Sequence, residues 1–223
     1  MVSLNDFTLE DGEYLVKLSR KAVETFLKAG VKIVPPKDAP KKFWEKFGVF
    51  VTIEKLGYVG PKVYKELRGC IGFPYPTKPL IEATIDSAIS AAVEDPRFPP
   101  MKIDELKNVV FEVSILSPPE EIKVESRKEL PKKVVVGRDG LIVEYGWYRG
   151  LLLPQVPVEY GWDAETFLSE TCMKAGLPPD SWLLDDVRVY RFEAAVFAEV
   201  EPEGKVIKRD LVKELRERKE NER

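Results

Sequence analysis

Two cysteines, no histidine and a scattering of carboxylates and guanidiniums bound the chemistry open to this chain of 223 residues. Without imidazole there is no Ser–His or Cys–His pair and no histidine metal ligand. Cysteines as far apart as Cys70 and Cys172 do not make a zinc site, and no dense Asp/Glu cluster has ligand spacing, so neither metal nor cofactor is expected. The thiol of Cys70 is the remaining candidate nucleophile. It lies in Leu67-Arg68-Gly69-Cys70-Ile71-Gly72, after Val63-Tyr64-Lys65-Glu66, which reads as a strand running into a tight loop. Strand alternation puts Leu67, Gly69 and Ile71 on one face and Tyr64, Glu66, Arg68 and Cys70 on the other. A guanidinium roughly 7 Å from the thiol would lower its pKa by roughly 0.4 to 1.7 units, while Glu66 and burial would oppose that shift. Two readings stand: a chemically used thiol, or a small buried one filling a tight turn. Gly69 and Gly72 leave the backbone free for φ > 0 or a close approach.

Further polar candidates sit on the elements around this segment. Leu9–Ala29 has apolar residues at helical spacing (Leu15, Leu18, Ala22, Phe26, Ala29), with Thr8 and Asp11 to cap it and Gly30 to stop it. A strand from Gly48 to Glu54 and a turn marked by Gly57 and Gly60 lead into the cysteine strand, which places it in an antiparallel sheet. A helix over 80–93 follows Pro79 and buries Ile81, Ile85, Ala88 and Ala92. After it, Asp95-Pro96-Arg97-Phe98-Pro99-Pro100 is a stiff loop presenting an acid and a base, either as a fastener or as ligand-facing groups. In Val109–Leu116 the odd residues face a core, and Glu112 and Ser114 share the other face with Val110 and Leu116.

The later chain reads as a three-stranded meander over about residues 130–158: Val134–Val136, Leu141–Tyr145 and Leu151–Leu153. Pro154-Gln155-Val156-Pro157 ends it as an extended segment. Asp163 caps a helix to Ala175 that takes Cys172 as a core residue. Val187–Val200 is too long for one flat strand, so a bend or bulge is expected near Glu193-Ala194. The tail over 205–223 reads as a charged helix.

Four blocks resemble the AMMECR domain family, named for the Alport syndrome, mental retardation, midface hypoplasia and elliptocytosis chromosomal region. They are Leu67–Gly72; Ala91-Ala92-Val93-Glu94-Asp95-Pro96-Arg97-Phe98-Pro99-Pro100; Glu112–Pro118; and Leu153–Pro157 leading to Gly161-Trp162-Asp163. They occur in the family's order and span roughly Leu9 to Val200. The resemblance implies one α+β domain of mainly antiparallel sheets with flanking helices: a larger α/β lobe from both termini and a smaller β-rich lobe. It also implies an association with Memo-like proteins and radical S-adenosylmethionine proteins. This chain lacks the three-cysteine cluster motif of the latter.

Composition bounds the function classes. Apolar residues at 44% with 33% charged residues describe a globular protein with a heavily ionised surface. No apolar run approaches the roughly 18 residues of a membrane span, and no signal peptide opens the chain, so a cytoplasmic location is expected. One Gln and three Asn amid abundant Lys and Glu suit a hyperthermophile, where a Cys70–Cys172 disulfide is allowed even in cytosol. The net charge of −3 disfavours nucleic acid. Two functions compete. One is an enzyme or ligand-binding domain with Cys70 and Glu112 as catalytic groups and Arg68, Gly69, Gly72, Asp95, Arg97, Ser114 and Gln155 as binding groups. The other is a non-catalytic adaptor using Phe73-Pro74-Tyr75-Pro76, Trp147-Tyr148 and Trp162. The first expects Cys70, Arg97, Glu112 and Gln155 within roughly 12 Å of a common centre, a cleft-sized dimension.

Overall fold

The computed structural model describes residues 2–60 and 62–221. They form two compact units. One takes the chain up to Pro118 together with Ala195–Arg209; the other takes Pro119–Ala194 and the chain from Asp210. The expected charged tail includes Glu222 and Arg223, which lie outside the described residues. The strand pairings described below are antiparallel throughout, and the fold is α+β.

In the first unit, helix α1 (Leu9–Ala29) is opened by a reciprocal cap: Thr8 Oγ1 accepts from Asp11 N–H and Asp11 accepts from Thr8 N–H. Gly30, at φ 68°, closes it. The stripe runs inward through Leu15, Leu18 and Ala22 to Phe26, whereas Ala29 is exposed. Strands β1 (Gly48–Val59) and β2 (Lys62–Phe73) form a long hairpin. Gly57, expected in the turn, lies within β1, where the Tyr64 ring covers it. Helix α2 (Leu80–Val93) and strand β3 (Val109–Leu116) have the expected bounds. β3 lies beside β1 on the side away from β2, with Thr52 opposite Glu112. Val49, Val51, Ile53, Val109, Phe111, Val113 and Ile115 face the two helices in one core. All eight residues of β3 are buried, including those of its more polar face.

The second unit holds the short strand β4 (Glu120–Glu121), helix α3 (Leu130–Lys133), the hairpin β5 (Asp139–Tyr145) and β6 (Tyr148–Leu152), helices α4 (Gln155–Tyr160) and α5 (Ala164–Lys174), and the first half of β7 (Arg188–Glu199). Leu141, Val143, Phe167, Leu168, Cys172 and Val189 build its own core. Helix α5 passes so close to β6 that a Cβ on Gly150 would lie 2.4 Å from the Ala175 nitrogen. The chain closes with β8 (Val206–Lys208), which pairs with the end of β7, and helix α6 (Leu211–Asn221). The expected tail helix therefore begins later than Lys205, because the first residues are taken up as a strand.

Two expectations are corrected here. Val134–Val136 is not a strand: Val135 gives its N–H to the Asp139 carboxylate (2.8 Å) and its C=O to Asp139 N–H (2.9 Å), closing a turn on groups that a ladder would need. The meander is thus a two-stranded hairpin. Pro154–Pro157 is not extended but opens α4; Pro154 is its cap and Pro157 sits in the first turn, where a missing N–H costs no helical bond. β7 is a single strand through Glu193-Ala194, where a bend or bulge is expected, and its partner changes beyond that point: residues up to Glu193 pair with β5 and residues from Phe197 with β8.

Helix α2 crosses β2 at Gly69, where an added Cβ would sit 1.9 Å from the Ala91 carbonyl oxygen. Gly69→Ala should therefore cost about 3 kcal/mol in denaturant unfolding, through forced separation of helix and strand. A loss below about 0.5 kcal/mol, the scatter of a neutral surface change, would disprove this packing.

Candidate functional site

The cross-strand register fixes the surroundings of Cys70. Opposite residues on paired strands share a face. Cys70 lies opposite Thr52, and Thr52 opposite Glu112, so the three form one row across β2, β1 and β3. The next row is Gly72, Phe50 and Ser114. In the other direction the register slips: Ile53 pairs with Gly69 but Glu54 with Leu67, leaving Arg68 as the extra residue of a bulge. The slip inverts the expected alternation. Leu67 and Lys65 share the face of Cys70, whereas Tyr64 and Glu66 lie on the face of Gly69.

Arg68 is consequently not a neighbour of the thiol. Its Nε and Nη2 bind Glu105 at 2.8 and 3.1 Å, Nη2 also binds the Pro99 carbonyl at 2.9 Å, and the guanidinium lies over the Phe98 ring. It fastens the segment after α2 to the sheet. That segment supplies the groups that do reach Cys70. Asp95 Oδ2 accepts the Cys70 N–H at 2.9 Å, and Arg97 Nη2 donates to the Cys70 carbonyl at 3.4 Å. The two side chains bind each other through Arg97 Nε (2.9 Å) and Nη2 (2.7 Å), with Arg97 N–H on Asp95 Oδ1 at 3.1 Å. Of the two readings of this loop, a fastening role is realised in these bonds, and 42% of the Arg97 side chain remains exposed.

The electrostatics follow. Burial pushes the Cys70 thiol up to about 11. The hydrogen bond from Thr52 Oγ1 to Sγ (3.2 Å) and the Arg97 charge pull it down, and Glu112 and Asp95 push it up further. Although part of the residue reaches the surface, the sulfur environment is dry enough for burial to dominate. Burial also acts to raise the Asp95 carboxyl, but the bonds from the Arg97 side chain, the Cys70 N–H and the Arg97 N–H outweigh it and hold the group at about 2. Glu112, 3% exposed, is bound by Arg209 Nη1 at 2.8 Å. Ser114 is fully buried in the next row. Gln155 belongs to the second unit, buried at the start of α4. Cys172 lies in the core of that unit, burial pushing it also up to about 11; both cysteines are free, so the allowed disulfide is not formed.

Cys70, Asp95, Arg97, Glu112 and Ser114 thus come from one unit, with Cys70 and Glu112 separated by Thr52. Sequence reasoning missed three partners. Thr52 was legible, since alternation from Val51 and Ile53 places it on the opposite face. Glu105 and Arg209 carried no signal, being polar residues whose roles depend on tertiary placement. Among the described residues no group of His, Cys, Asp and Glu could hold a metal ion, and no helix is long and apolar enough to cross a membrane.

An antiparallel α+β fold with a cysteine row on the strand hairpin and an Asp–Arg clasp after the second helix defines the class of protein. A family model described as AMMECR1 matches residues 16–197, and the chain belongs to that family. It is 59% identical over 203 residues to Protein PYRAB00100 of Pyrococcus abyssi, covering 91% of this chain and 97% of that protein. Protein MJ0810 of Methanocaldococcus jannaschii is 56% identical over 205 residues, covering 92% and 98%. The crystal structure of the uncharacterized protein PH0010 from Pyrococcus horikoshii superposes with a TM-score of 0.84 at 57% identity, covering 89% of this chain and 96% of that one. These relatives come from thermophilic archaea, in keeping with the amide-poor composition.

The depressed Asp95 pKa predicts an acid limb. A carboxyl held at about 2 against an ordinary 3.8 contributes stability that is complete above pH 4 and lost as pH falls toward 2, about 2 kcal/mol in all. Wild type should lose that much more than Asp95→Asn between pH 5 and pH 2 in urea unfolding. Parallel curves would show that the clasp contributes nothing through its charge.

Proposed function

We propose that this protein is a non-catalytic binding module, an adaptor or regulatory subunit, with Cys70 as a structural thiol. The observation that carries this reading is the setting of the sulfur, which accepts from Thr52 Oγ1 at 3.2 Å in surroundings whose burial pushes the thiol up to about 11. At pH 7 about one molecule in ten thousand would hold the thiolate that nucleophilic chemistry needs. The neighbouring groups support the same reading. The side chain bonded to Sγ is the Thr52 hydroxyl, which donates to it; Asp95 binds Arg97 and the Cys70 backbone, and Glu112 binds Arg209. A thiol enzyme would instead keep a base within hydrogen-bond reach of the sulfur. Memo-like and radical S-adenosylmethionine proteins, implied by the family resemblance, are the partners to test first.

Two measurements test the reading. Iodoacetamide should label native Cys70 slowly at pH 7, at a rate similar to Cys172, and both should react only as pH approaches 11. Cys70→Ser should retain binding to any partner that wild type retains on a column. Rapid labelling of Cys70 alone at pH 7, or loss of partner binding in a folded Cys70→Ser protein, would restore the thiol-enzyme reading.

A further inference from the structure

Strand β2 is the terminal strand of its sheet, and the register tells which of its backbone groups are committed. Cys70 directs its N–H to Asp95 and its C=O to Arg97, so it exchanges no backbone bonds with Thr52 opposite. By alternation along β1, Glu54, Leu56 and Tyr58 also turn their backbone groups away from β2. Their partners Leu67, Lys65 and Val63 therefore direct N–H and C=O to the outer edge. Among the described residues nothing binds these groups there. At Cys70 the Asp95–Arg97 clasp occupies the edge as a neighbouring strand would; from Val63 to Leu67 the edge is open.

The side chains along this open stretch give it a specific character. Tyr58, Val63 and Leu67 share one face and are 68%, 57% and 41% exposed. Lys65 lies between Val63 and Leu67 on that face, its Nζ 2.8 Å from Glu54. An open edge flanked by apolar residues is a template for a further strand. Lys65 selects which strand. A second copy pairing antiparallel so that Val63 meets Leu67 would set the two Lys65 ammonium groups directly opposite each other, and like charges there are destabilising. A carboxylate at the same position is favoured, because the ammonium has three N–H donors and meets Glu54 Oε2 only as an ion-pair contact.

The geometry points to the Val63–Leu67 edge as a docking site for an extended segment of another protein, carrying an acidic residue opposite Lys65 and apolar residues two positions to either side. This inference rests on the binding-module reading above and names the chemistry of the partner. The segment adds as a strand: its backbone completes the bonds of Val63, Lys65 and Leu67, its carboxylate meets Lys65, and its apolar residues cover Val63 and Leu67.

The test uses the full chain and a fluorescent, end-capped peptide with the core Thr-Val-Thr-Asp-Thr-Val-Thr, against a control in which Asp is replaced by Lys. Anisotropy should give at least tenfold weaker binding for the control. Hydrogen exchange at Val63, Lys65 and Leu67 should slow when the first peptide is present. Lys65→Glu should invert the preference between the two peptides. Lys65→Pro, which removes an outward N–H without touching the ladder to β1, should abolish binding with an unchanged circular dichroism spectrum. Equal affinity for both peptides, no binding of either at millimolar concentration, protection elsewhere in the chain, or dimerisation of the protein alone through this edge would each overturn the proposal. Failure of the binding-module reading is separable. It would appear as loss of partner binding in Cys70→Ser, whereas failure of the edge alone would leave Cys70→Ser and the Lys65 variants equally competent toward a protein partner.

Discussion

Arg20 and Glu199 stand 179 positions apart and form a buried ion pair on which the first unit depends. Arg20 Nε binds Glu199 Oε1 at 2.9 Å, and Nη2 binds Oε2. The remaining capacity is also used: Nη1 binds the Leu106 carbonyl at 3.0 Å, Nη2 the Val109 carbonyl at 2.7 Å, and Phe111 N–H donates to Glu199 Oε2 at 2.9 Å. Removing two charges from water costs several kcal/mol per ion, and only a network with its lone pairs and protons satisfied offsets this. Here five hydrogen bonds do so, and the guanidinium also lies 4.7 Å from the centroid of Phe111. The pair is therefore weak as a source of net stability and strong as a specification. With either partner removed, an uncompensated charge would remain in a dry core. Helix α1, the start of β3 and the end of β7 must meet in one arrangement. That requirement brings a segment from beyond the second unit back into the first, and with it Arg209, the partner of Glu112.

The second determining feature is a single residue. Arg68 is the extra residue in β2, and its insertion decides what accompanies Cys70 on its face. Without the bulge the thiol would share its face with a guanidinium and a carboxylate. With it, Leu67, Lys65 and Val63 extend from the thiol toward the hairpin tip, and Arg68 is released to bind Glu105 and Pro99. Gly69, next to Cys70 and on the opposite face, lies under α2, where nothing larger fits. A hexapeptide that reads as a strand running into a tight loop thus contains a glycine set by helix packing, an arginine set by a bulge, and a thiol whose backbone is clasped.

Much of this was legible from periodicity and much was not, for a consistent reason. Helices α1 and α2 and strand β3 were found at their bounds because their signals are local: a cap at Thr8, proline before Leu80, alternation from Val109 to Leu116. The failures came where a side chain competes with the ladder or where proline has two meanings. Val134–Val136 has a strand's composition, yet the Asp139 carboxylate takes the Val135 N–H. Pro154 and Pro157 read as extended, yet the first turn of a helix needs no N–H from either. The bulge at Arg68 has no local mark either, since it depends on which β1 residue is opposite. In the candidate site, residue types were readable and their pairings were not. Arg209 and Glu105 neutralise Glu112 and Arg68 across separations that no spacing rule reaches.

These pairings bear on the chemistry of the unit as a whole. Three guanidiniums and three carboxylates near β2 and β3 are matched one to one: Arg68 with Glu105, Arg97 with Asp95, and Arg209 with Glu112. The three carboxylates are engaged in these pairings, while among the described residues Arg68 Nη1 stays buried without a hydrogen-bond partner. A cation roughly 7 Å from a thiol lowers its pKa by roughly 0.4 to 1.7 units. Arg97 also pairs with Asp95, whose carboxylate acts on the sulfur in the opposite direction, and burial is the largest influence. Burial favours the neutral thiol, with Glu112 and Asp95 acting in the same direction and Thr52 and Arg97 against it. The proposed recognition of another chain draws instead on backbone groups and apolar side chains at the edge of β2, and it needs no reactive residue.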